Sequence, residues 1–254
     1  MNIVVIGHGM VGHKFLEQLH ALGVADANVT VLCEEPRAAY DRVHLSEFFS
    51  GKSAEDLSLV APGFFEASGF TLRLAARAAA VERRERTVTT ADGEVIPYDR
   101  LVLATGSAPF VPPVPGRDRP HCFVYRTIED LEAMQASAAR SRTGVVVGGG
   151  LLGLECAKAL RDLGLETHVV EFAPRLMAVQ VDDGGGRVLR SKIEDLGVQV
   201  HTGRNTLEIT DGATARHRMV FADGTHLETD MIVFSAGIRP VSYTHLTLPT
   251  IYSV

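Results

Sequence analysis

The 254-residue sequence predicts an α/β protein in which one βαβ plan begins twice. The plan begins first with "IVVIGHGMVGHKFLEQL" at residue 3 and again with "VVVGGGLLGLE" at residue 145. Each stretch is an apolar strand that breaks into glycines and resumes as a helix. In both places a second apolar strand follows and ends in glutamate. Two such units predict two parallel sheets flanked by helices.

The first half of the chain reads as one βαβ opening followed by short strands. Residues 2–6 form a buried strand, a helix runs to about Leu22, and Gly23 closes it. The strand "VTVLCEE" ends at Glu34 and Glu35, and residues 36–69 form a long connection with short helical stretches. Asp-Gly in "ADGE" suits a hairpin. Further strands are expected near 70–75, 77–82, 86–90, 94–97 and 100–104.

The second half repeats the plan after a proline-rich crossing. Four prolines stiffen "LVLATGSAPFVPPVPG", and a helix near 127–140 leads to the second glycine-rich stretch. The strand "ETHVVEF", a helix near 183–196 and more strands ending in "MIVFSAG" follow. We therefore expect a first Rossmann-like domain over 1–112 and a second over 113–240.

Each glycine run has the spacing of a dinucleotide-binding loop. In Gly7-x-Gly9-x-x-Gly12 the glycines permit the turn, the approach of a pyrophosphate and close helix–strand packing. The free N–H groups of the helix that follows attract phosphate. Glu34 or Glu35, about 27 residues on, is then placed to accept hydrogen bonds from a ribose. The alternative is that these glycines only make a structural turn.

The second loop, Gly148-x-Gly150-x-x-Gly153, repeats this context. Glu171 ends the next strand 23 residues on, where a carboxylate binds a 2′-hydroxyl and repels a 2′-phosphate. This favours NADH over NADPH. Arg175 lies nearby and either softens that preference or belongs to the surface. Two sites in one chain suggest one nucleotide held permanently and one that visits, a division that suits FAD and a nicotinamide nucleotide.

Composition and charge narrow the function classes. A net charge of −6 gives no electrostatic footprint for nucleic acid or an anionic membrane. The sequence shows no secretory signal and no apolar run near the roughly 18 residues of a membrane span, which predicts a cytoplasmic protein. Cys33, Cys122 and Cys156 are far apart and form no disulfide framework or CxxC site. We expect no metal at the histidines of the first loop and helix, His8, His13 and His20.

Several stretches resemble the FAD part of flavoprotein reductases with two dinucleotide sites, of the FAD-dependent pyridine nucleotide oxidoreductase superfamily. They include "IGHGMVG", "YDRLVLATGSAP", "VVGGGLLGLE" and "SAGIRP". Four others resemble the large subunit family of assimilatory NAD(P)H nitrite reductases: "CEEPRAAYDRVHLS", "CFVYRTIEDL", "ETHVVEFAPRLMA" and "GVQVHTGRNTLEI". The resemblance extends over residues 1–240.

The resemblance implies roles that spacing alone does not supply. Arg42 is expected at the FAD pyrophosphate or ribityl, Ala78 at the adenine, and Glu155 near the nicotinamide and flavin as the one catalytic position. A surface ion pair for Arg42 and a helix-flanking role for Glu155 are the alternatives. The expected cofactor-binding residues are Gly7, Gly9, Met10, Val11, Gly12, Glu34, Glu35, Arg42, Ala78, Ala104, Thr105, Gly106, Arg126, Gly148, Gly150, Leu151, Leu152, Gly153, Glu171 and Gly237.

The same resemblance implies a module that passes hydride from NADH to FAD. In that family the electrons continue to downstream iron–sulfur centres and sirohaem, where nitrite becomes ammonium, and a small subunit is expected as a partner. No cysteine cluster for iron–sulfur ligation occurs in this sequence. The alternatives are a stand-alone NADH-dependent reductase of ferredoxin or rubredoxin, and a nucleotide-binding redox sensor without turnover.

The last residues, 241–254, read "VSYTHLTLPTIYSV" and contain no Lys, Arg, Asp or Glu. Residues 241–250 resemble the translation of a transposon-end sequencing adaptor. We therefore expect a non-native tail on a truncated FAD domain, and a natural strand is the alternative. An FAD domain without its returning segment is expected to hold FAD weakly or not at all, and the truncated chain is expected to be inactive alone.

Overall fold

The computed structural model describes residues 1–24 and 26–241, which form two compact units. Of the described residues, the first unit comprises 1–24, 26–44, 53–108 and 240–241. The second unit comprises residues 45–52 and 109–239. The expected domains, 1–112 and 113–240, assign residues 45–52 differently.

A four-stranded parallel sheet forms the centre of the first unit, in the order β3-β2-β1-β7. Helix α1 buries Leu16 completely against Ile3, Val5 and Val29 of this sheet. Burying one such leucine contributes about 2 kcal/mol, and β1 is apolar at every position after Asn2, as expected of a buried parallel strand. The elements are β1 Asn2–Ile6, α1 Met10–Ala21, β2 Asn28–Leu32, β3 Thr71–Arg73 and β7 Arg100–Leu103.

A three-stranded antiparallel sheet completes the first unit, in the order β4-β5-β6. The turn between β5 and β6 contains Gly93 at φ +91°, and the Thr90 hydroxyl accepts the Glu94 N–H at 3.1 Å. The Asp-Gly turn expected in "ADGE" therefore connects the two strands. The bounds are α2 Phe64–Ser68, β4 Ala78–Glu82, β5 Thr87–Thr90, β6 Val95–Pro97 and β8 Ser107–Pro109.

The second unit repeats this plan around a five-stranded parallel sheet, in the order β12-β11-β10-β16-β9. Thr127 caps α3 by accepting the Asp130 N–H, and the Asp130 carboxylate accepts the Thr127 N–H. The elements are a 3₁₀ helix Leu45–Ser50, β9 Cys122–Val124, α3 Ile128–Ala138, β10 Thr143–Val147, α4 Leu151–Asp162, β11 Glu166–Val170, α5 Asp183–Asp195, β12 Val198–His201 and β16 Met231–Phe234.

A second antiparallel meander, β13-β14-β15, lies in the chain between β12 and β16. Met219 and Phe221 of this meander pack with Val145, Ile232 and Phe234 of the parallel sheet to form a buried core. The bounds are β13 Thr206–Asp211, β14 His217–Phe221, β15 His226–Thr229 and β17 Ile238–Pro240.

The predicted α/β class and its two βαβ units are confirmed. The strand β2 ends at Leu32, before the predicted end at Glu34 and Glu35. Across the described part of the chain, no helix has both the length and the apolarity to span a membrane. Of the expected non-native tail only Val241 is described, and residues 242–254 lie outside the described residues.

Candidate dinucleotide sites

The first glycine loop, Gly7 to Gly12, joins β1 to α1. Neither its first nor its last residue has space for a side chain. Gly7 has φ +102°, and a Cβ there would lie 2.2 Å from the carbonyl oxygen of Ala104. A Cβ on Gly12 would lie 2.2 Å from the carbonyl oxygen of Gly7. Both positions therefore require glycine.

The middle of this loop is open. A Cβ added at Gly9 meets no atom within 4 Å, and α1 begins after Gly9 without a side-chain cap. Met10 and Val11, the first residues of α1, are 36% and 75% exposed. Uncapped N–H groups beside open space form a cradle that suits a pyrophosphate.

The two glutamates after β2 have different surroundings. The Glu35 carboxylate accepts a hydrogen bond from the Tyr40 hydroxyl at 2.6 Å and pairs with the guanidinium of Arg42. The Glu34 side chain is 71% exposed and lies 3.5 Å from the guanidinium of Arg77. Arg42 thus makes an ion pair in this structure, and Glu34 is the more accessible carboxylate.

The remaining expected FAD contacts are divided between the units. Ala78 begins β4, where the register between β4 and β5 is irregular. The N–H of Ala104 donates to Ile6 O at 2.8 Å, and half-buried Thr105 and exposed Gly106 follow it. Arg126 lies in the second unit before α3, and its backbone N–H donates to the Asp130 carboxylate at 3.1 Å.

The second glycine loop, Gly148 to Gly153, has the geometry of the first. Gly148 has φ +122°, and its added Cβ would lie 2.2 Å from Ser235 O. A Cβ on Gly153 would lie 2.0 Å from Gly148 O, whereas one on Gly150 meets nothing within 4 Å. Helix α4 also begins without a side-chain cap. This loop forms a second cradle of the same kind.

Glu171 holds the second loop from the end of β11. One carboxylate oxygen accepts the Gly149 N–H at 2.5 Å, and the other accepts the Ala173 N–H at 2.6 Å. A Cβ on Gly149 would approach the Leu176 side chain at 2.6 Å and Glu171 Cβ at 3.1 Å. Because position 149 is glycine, there is room for the Glu171 carboxylate to contact the backbone of the loop.

A cavity of about 870 Å³ opens beside this loop, within the second unit. We call it the nucleotide pocket. It has the size of a cofactor site, and its lining is mainly apolar with Glu171 at one wall. Of the expected residues, it is lined by Gly148, Gly150, Leu151, Leu152, Glu171 and Gly237.

The guanidinium of Arg175 is engaged by the segment that precedes α5 and by the first residue of that helix. It donates to Val181 O at 3.0 Å and to Ala178 O at 3.1 Å, and it pairs with Asp183 at 2.8 Å. All three nitrogens of the guanidinium group therefore have partners other than Glu171.

Glu155 lies half-buried on α4 beside the buried Tyr125. Burial raises the pKa of the Tyr125 hydroxyl, and Cys156 and Glu155 raise it further. Among the described residues this hydroxyl has no hydrogen-bond partner. The Tyr125 ring stacks on Phe49 of the 3₁₀ helix, with centroids 6.4 Å apart.

The first-loop histidines pack among aromatic rings. His8 Nδ1 accepts the Ala39 N–H at 3.1 Å, and its ring lies 5.4 Å from those of His13 and Phe65. Burial, followed by the neighbouring His13, lowers the pKa of His8 to about 4. No group of His, Cys, Asp and Glu in the described ranges could hold a metal ion.

The cysteines are free thiols: Cys33 and Cys156 are buried, and Cys122 is half-buried. Burial raises the pKa of all three thiols, that of Cys122 to about 11. Thiols with raised pKa values are poor nucleophiles, which agrees with a packing role.

Sequence reasoning missed part of the pocket wall. Phe172 and Val179 line it although their side chains are 73% and 94% exposed. Phe110 and Arg204 also line it from remote parts of the chain. Of these residues, only Phe172 could have been predicted from the local sequence, because it follows Glu171, the first residue after β11.

Two parallel sheets, each with an open glycine cradle at a strand–helix turn, define a protein of the two-dinucleotide fold. The chain belongs to the pyridine nucleotide-disulphide oxidoreductase family, whose model matches residues 1–250.

Curated relatives agree with the resemblance expected from the sequence, which is thereby confirmed. The chain is 55% identical over 242 residues to the nitrite reductase (NADH) large subunit of Escherichia coli (strain K12), covering 94% of this chain and 29% of that protein. It is 57% identical over 239 residues to the nitrite reductase [NAD(P)H] large subunit of Klebsiella oxytoca, covering 94% and 25%. The chain thus spans less than a third of the length of these relatives.

A solved structure supports the same fold. The ferredoxin reductase for the CYP199A2 system from Rhodopseudomonas palustris matches with a TM-score of 0.86 at 27% identity, covering 95% of this chain and 60% of that one.

Proposed function

We propose that this chain is the electron-input module of an NADH-dependent nitrite reductase large subunit, passing hydride from NADH to FAD. The observation that carries the proposal is the pair of matched open glycine cradles, one in each unit. Family membership and the identity to nitrite reductase large subunits support it.

The first unit is proposed to hold FAD. Its residues fit the group because the cradle at Gly9 is open, α1 is uncapped, and Glu34 is an exposed acceptor for a ribose. The further contacts proposed from the resemblance are Arg42, Ala78, Ala104, Thr105, Gly106 and Arg126. FAD when bound would supply a two-electron acceptor that returns electrons singly or in pairs.

The second unit is proposed to bind NADH in the nucleotide pocket. Gly150, Leu151 and Leu152 would face the pyrophosphate, and Glu171 would accept hydrogen bonds from the 2′-hydroxyl. Glu171 repels a 2′-phosphate, and Arg175 is engaged elsewhere, so NADH is preferred to NADPH. Glu155 and Gly237 are proposed to lie near the nicotinamide.

For the parent enzyme, we propose reduction of nitrite to ammonium in the cytoplasm. Iron–sulfur and sirohaem centres would belong to a region outside this chain, and a small subunit would be a partner. The structural match to a ferredoxin reductase favours one other candidate, a reductase that passes electrons to a ferredoxin.

Two alanine variants test the assignment of the two sites. Gly9→Ala and Gly150→Ala each place a methyl group in open space, so neither should disturb folding. We expect Gly9→Ala to weaken FAD binding at least about tenfold and leave NADH binding unchanged, with the reverse for Gly150→Ala. Flavin absorbance and NADH fluorescence titrations of the full-length protein measure both. Equal effects of the two variants on both nucleotides would contradict the assignment.

The parent reaction requires a different test. The gene read beyond the codon for Pro240 should encode cysteine clusters with iron–sulfur ligand spacing if nitrite is the terminal acceptor. A frame that instead ends after a short interface domain would favour the ferredoxin reductase. Steady oxidation of NADH by the full-length protein with an artificial acceptor would exclude a sensor without turnover.

A further inference from the structure

The second unit contains another cavity, which is smaller than the nucleotide pocket and is lined by three arginines. Its volume is about 220 Å³, and its wall includes Arg175, Arg187, Arg190, Asp183 and Thr202. We call it the arginine cavity. The three arginines outnumber the two carboxylates that pair with them, Asp183 and Glu194, so an excess of positive charge remains.

Two of the guanidiniums are fixed by backbone carbonyls. Arg175 donates to Val181 O at 3.0 Å and Ala178 O at 3.1 Å, besides its pair with Asp183. Arg190 donates to Val200 O at 3.1 Å and pairs with Glu194 at 2.8 Å. A guanidinium held in this way loses little further freedom when it binds an anion.

The third guanidinium is unused within the structure. Arg187 makes no hydrogen bond or ion pair with any residue that the structure describes. Nearby, Gly186 leaves room for the stem of Arg175, because a Cβ there would lie 2.9 Å from Arg175 Cδ and 3.1 Å from its Cβ. Gly186 of α5 thus lets the Arg175 side chain pack on this helix. Arg175 and Arg187 then line the same cavity.

We propose that the arginine cavity binds a phosphate-class dianion, as inorganic phosphate or a phosphate monoester. Guanidiniums match phosphate oxygens in paired hydrogen bonds, and the Thr202 side chain at the wall adds a hydroxyl donor. At 220 Å³ the cavity suits one such group rather than a dinucleotide, for which the 870 Å³ pocket is the larger space.

The cavity is coupled to the nucleotide pocket through one chain segment. Pro174, Arg175 and Leu176 line the arginine cavity, while Ala173 and Met177 line the nucleotide pocket. Met177 N–H donates to Gly149 O at 2.9 Å, which joins the segment to the second glycine loop. A dianion that holds Arg175 would steady this segment and tighten NADH binding about fivefold. This coupling rests on the proposed function.

Phosphate binding by the full chain, measured by calorimetry without nucleotide, tests the site. Arg187→Ala should weaken inorganic phosphate binding about tenfold, since it removes charge-assisted hydrogen bonds. It should fold normally because Arg187 has no partner to lose. Arg84→Ala, at an exposed position of the first unit, is the control of equal charge and should leave binding unchanged.

A second pair of variants tests the geometry. Gly186→Ala displaces Arg175 and should weaken phosphate binding, whereas Ser191→Ala, at an exposed position of the same helix outside the cavity wall, should not. Absence of saturable phosphate binding, or equal binding by Arg187→Ala and Arg84→Ala, would overturn the proposal. So would a loss confined to NADPH affinity in Arg187→Ala, since the cavity would then serve the nucleotide's own 2′-phosphate. Phosphate binding in a chain that does not bind NADH would support the site and refute the nucleotide function.

Discussion

The two glycine loops have the same backbone but different supports. Gly7 and Gly148 have φ values of +102° and +122°, and a Cβ on either would lie 2.2 Å from a carbonyl oxygen of the strand beside it or its continuation. In the first loop the intervening residue is His8, whose ring accepts the N–H of Ala39 from the long connection. In the second it is Gly149, whose N–H donates to Glu171 of the next strand.

This difference shows which part of such a loop is fixed and which part varies. The glycines that meet backbone atoms are dictated by sterics in both units, because no side chain fits there. The residue type at the second position of each loop instead depends on the segment that it contacts, which differs between the two units. The first loop depends on a neutral imidazole, and the second on a carboxylate that we also propose as the ribose acceptor.

The largest expected effect comes from the glycines that meet backbone. Gly7→Ala and Gly148→Ala should each lower the free energy of unfolding by about 3 kcal/mol or more, since left-handed strain adds to a backbone collision. Gly9→Ala and Gly150→Ala are matched controls and should remain within about 0.5 kcal/mol of wild type. Urea denaturation measures all four, and similar losses in both pairs would contradict the comparison.

Glu171→Gln should give the next largest effect. The substitution weakens two charge-assisted hydrogen bonds to backbone N–H groups, which should cost about 1 to 2 kcal/mol of stability. It also removes the charge that repels a 2′-phosphate, so the ratio of NADH to NADPH affinity should fall about tenfold. Nucleotide titrations measure this ratio. An unchanged ratio would show that another residue determines the preference.

His8 should make the first loop sensitive to acid. The pKa of His8 in the folded chain is about 4, below its ordinary value of 6.5, so the unfolded chain binds the proton first as the pH falls. The neutral ring therefore stabilises the fold above about pH 6.5, and this stability is lost as the pH falls towards 4. At about pH 5.5 the loss should be near 1 kcal/mol.

The control for that prediction is His8→Asn, which keeps a side-chain acceptor for the Ala39 N–H but does not titrate. The difference in unfolding free energy between wild type and this variant should change between neutral pH and about pH 5.5. A difference independent of pH would exclude His8 as the acid-sensitive group. Comparison of the two proteins cancels the contributions of the other histidines.

The smallest effect is expected at Glu34. Its pair with Arg77 at 3.5 Å joins side chains that are 71% and 67% exposed, so Glu34→Gln should change stability by less than about 0.5 kcal/mol. Thermal unfolding without nucleotide measures this, and Glu35→Gln, which loses contacts with Tyr40 and Arg42, provides the contrast. If Glu34→Gln also weakens FAD binding, the ribose acceptor is identified independently of stability.

The sequence predicted the features that depend on local physics. Apolar runs and glycine spacing are sufficient to predict the two βαβ units and the position of Glu171 directly after β11, because strand, turn and helix are neighbours in the chain. The contacts of Arg175 with Val181 and Asp183 were not predictable, since they depend on the path of the segment before α5. Phe110 and Arg204 reach the nucleotide pocket through tertiary packing, which no local pattern records.

The placement of residues 45–52 in the second unit has a consequence for how this protein can be divided or recombined. Leu45 is buried, and Phe49 stacks on the ring of Tyr125. A fragment spanning residues 109–239 would lack both and would expose an aromatic ring that is 2% accessible in the whole chain. A single crossover in the gene cannot move the second unit to another host. Any exchange of the second unit must also include residues 45–52. These eight residues are encoded between two parts of the first unit.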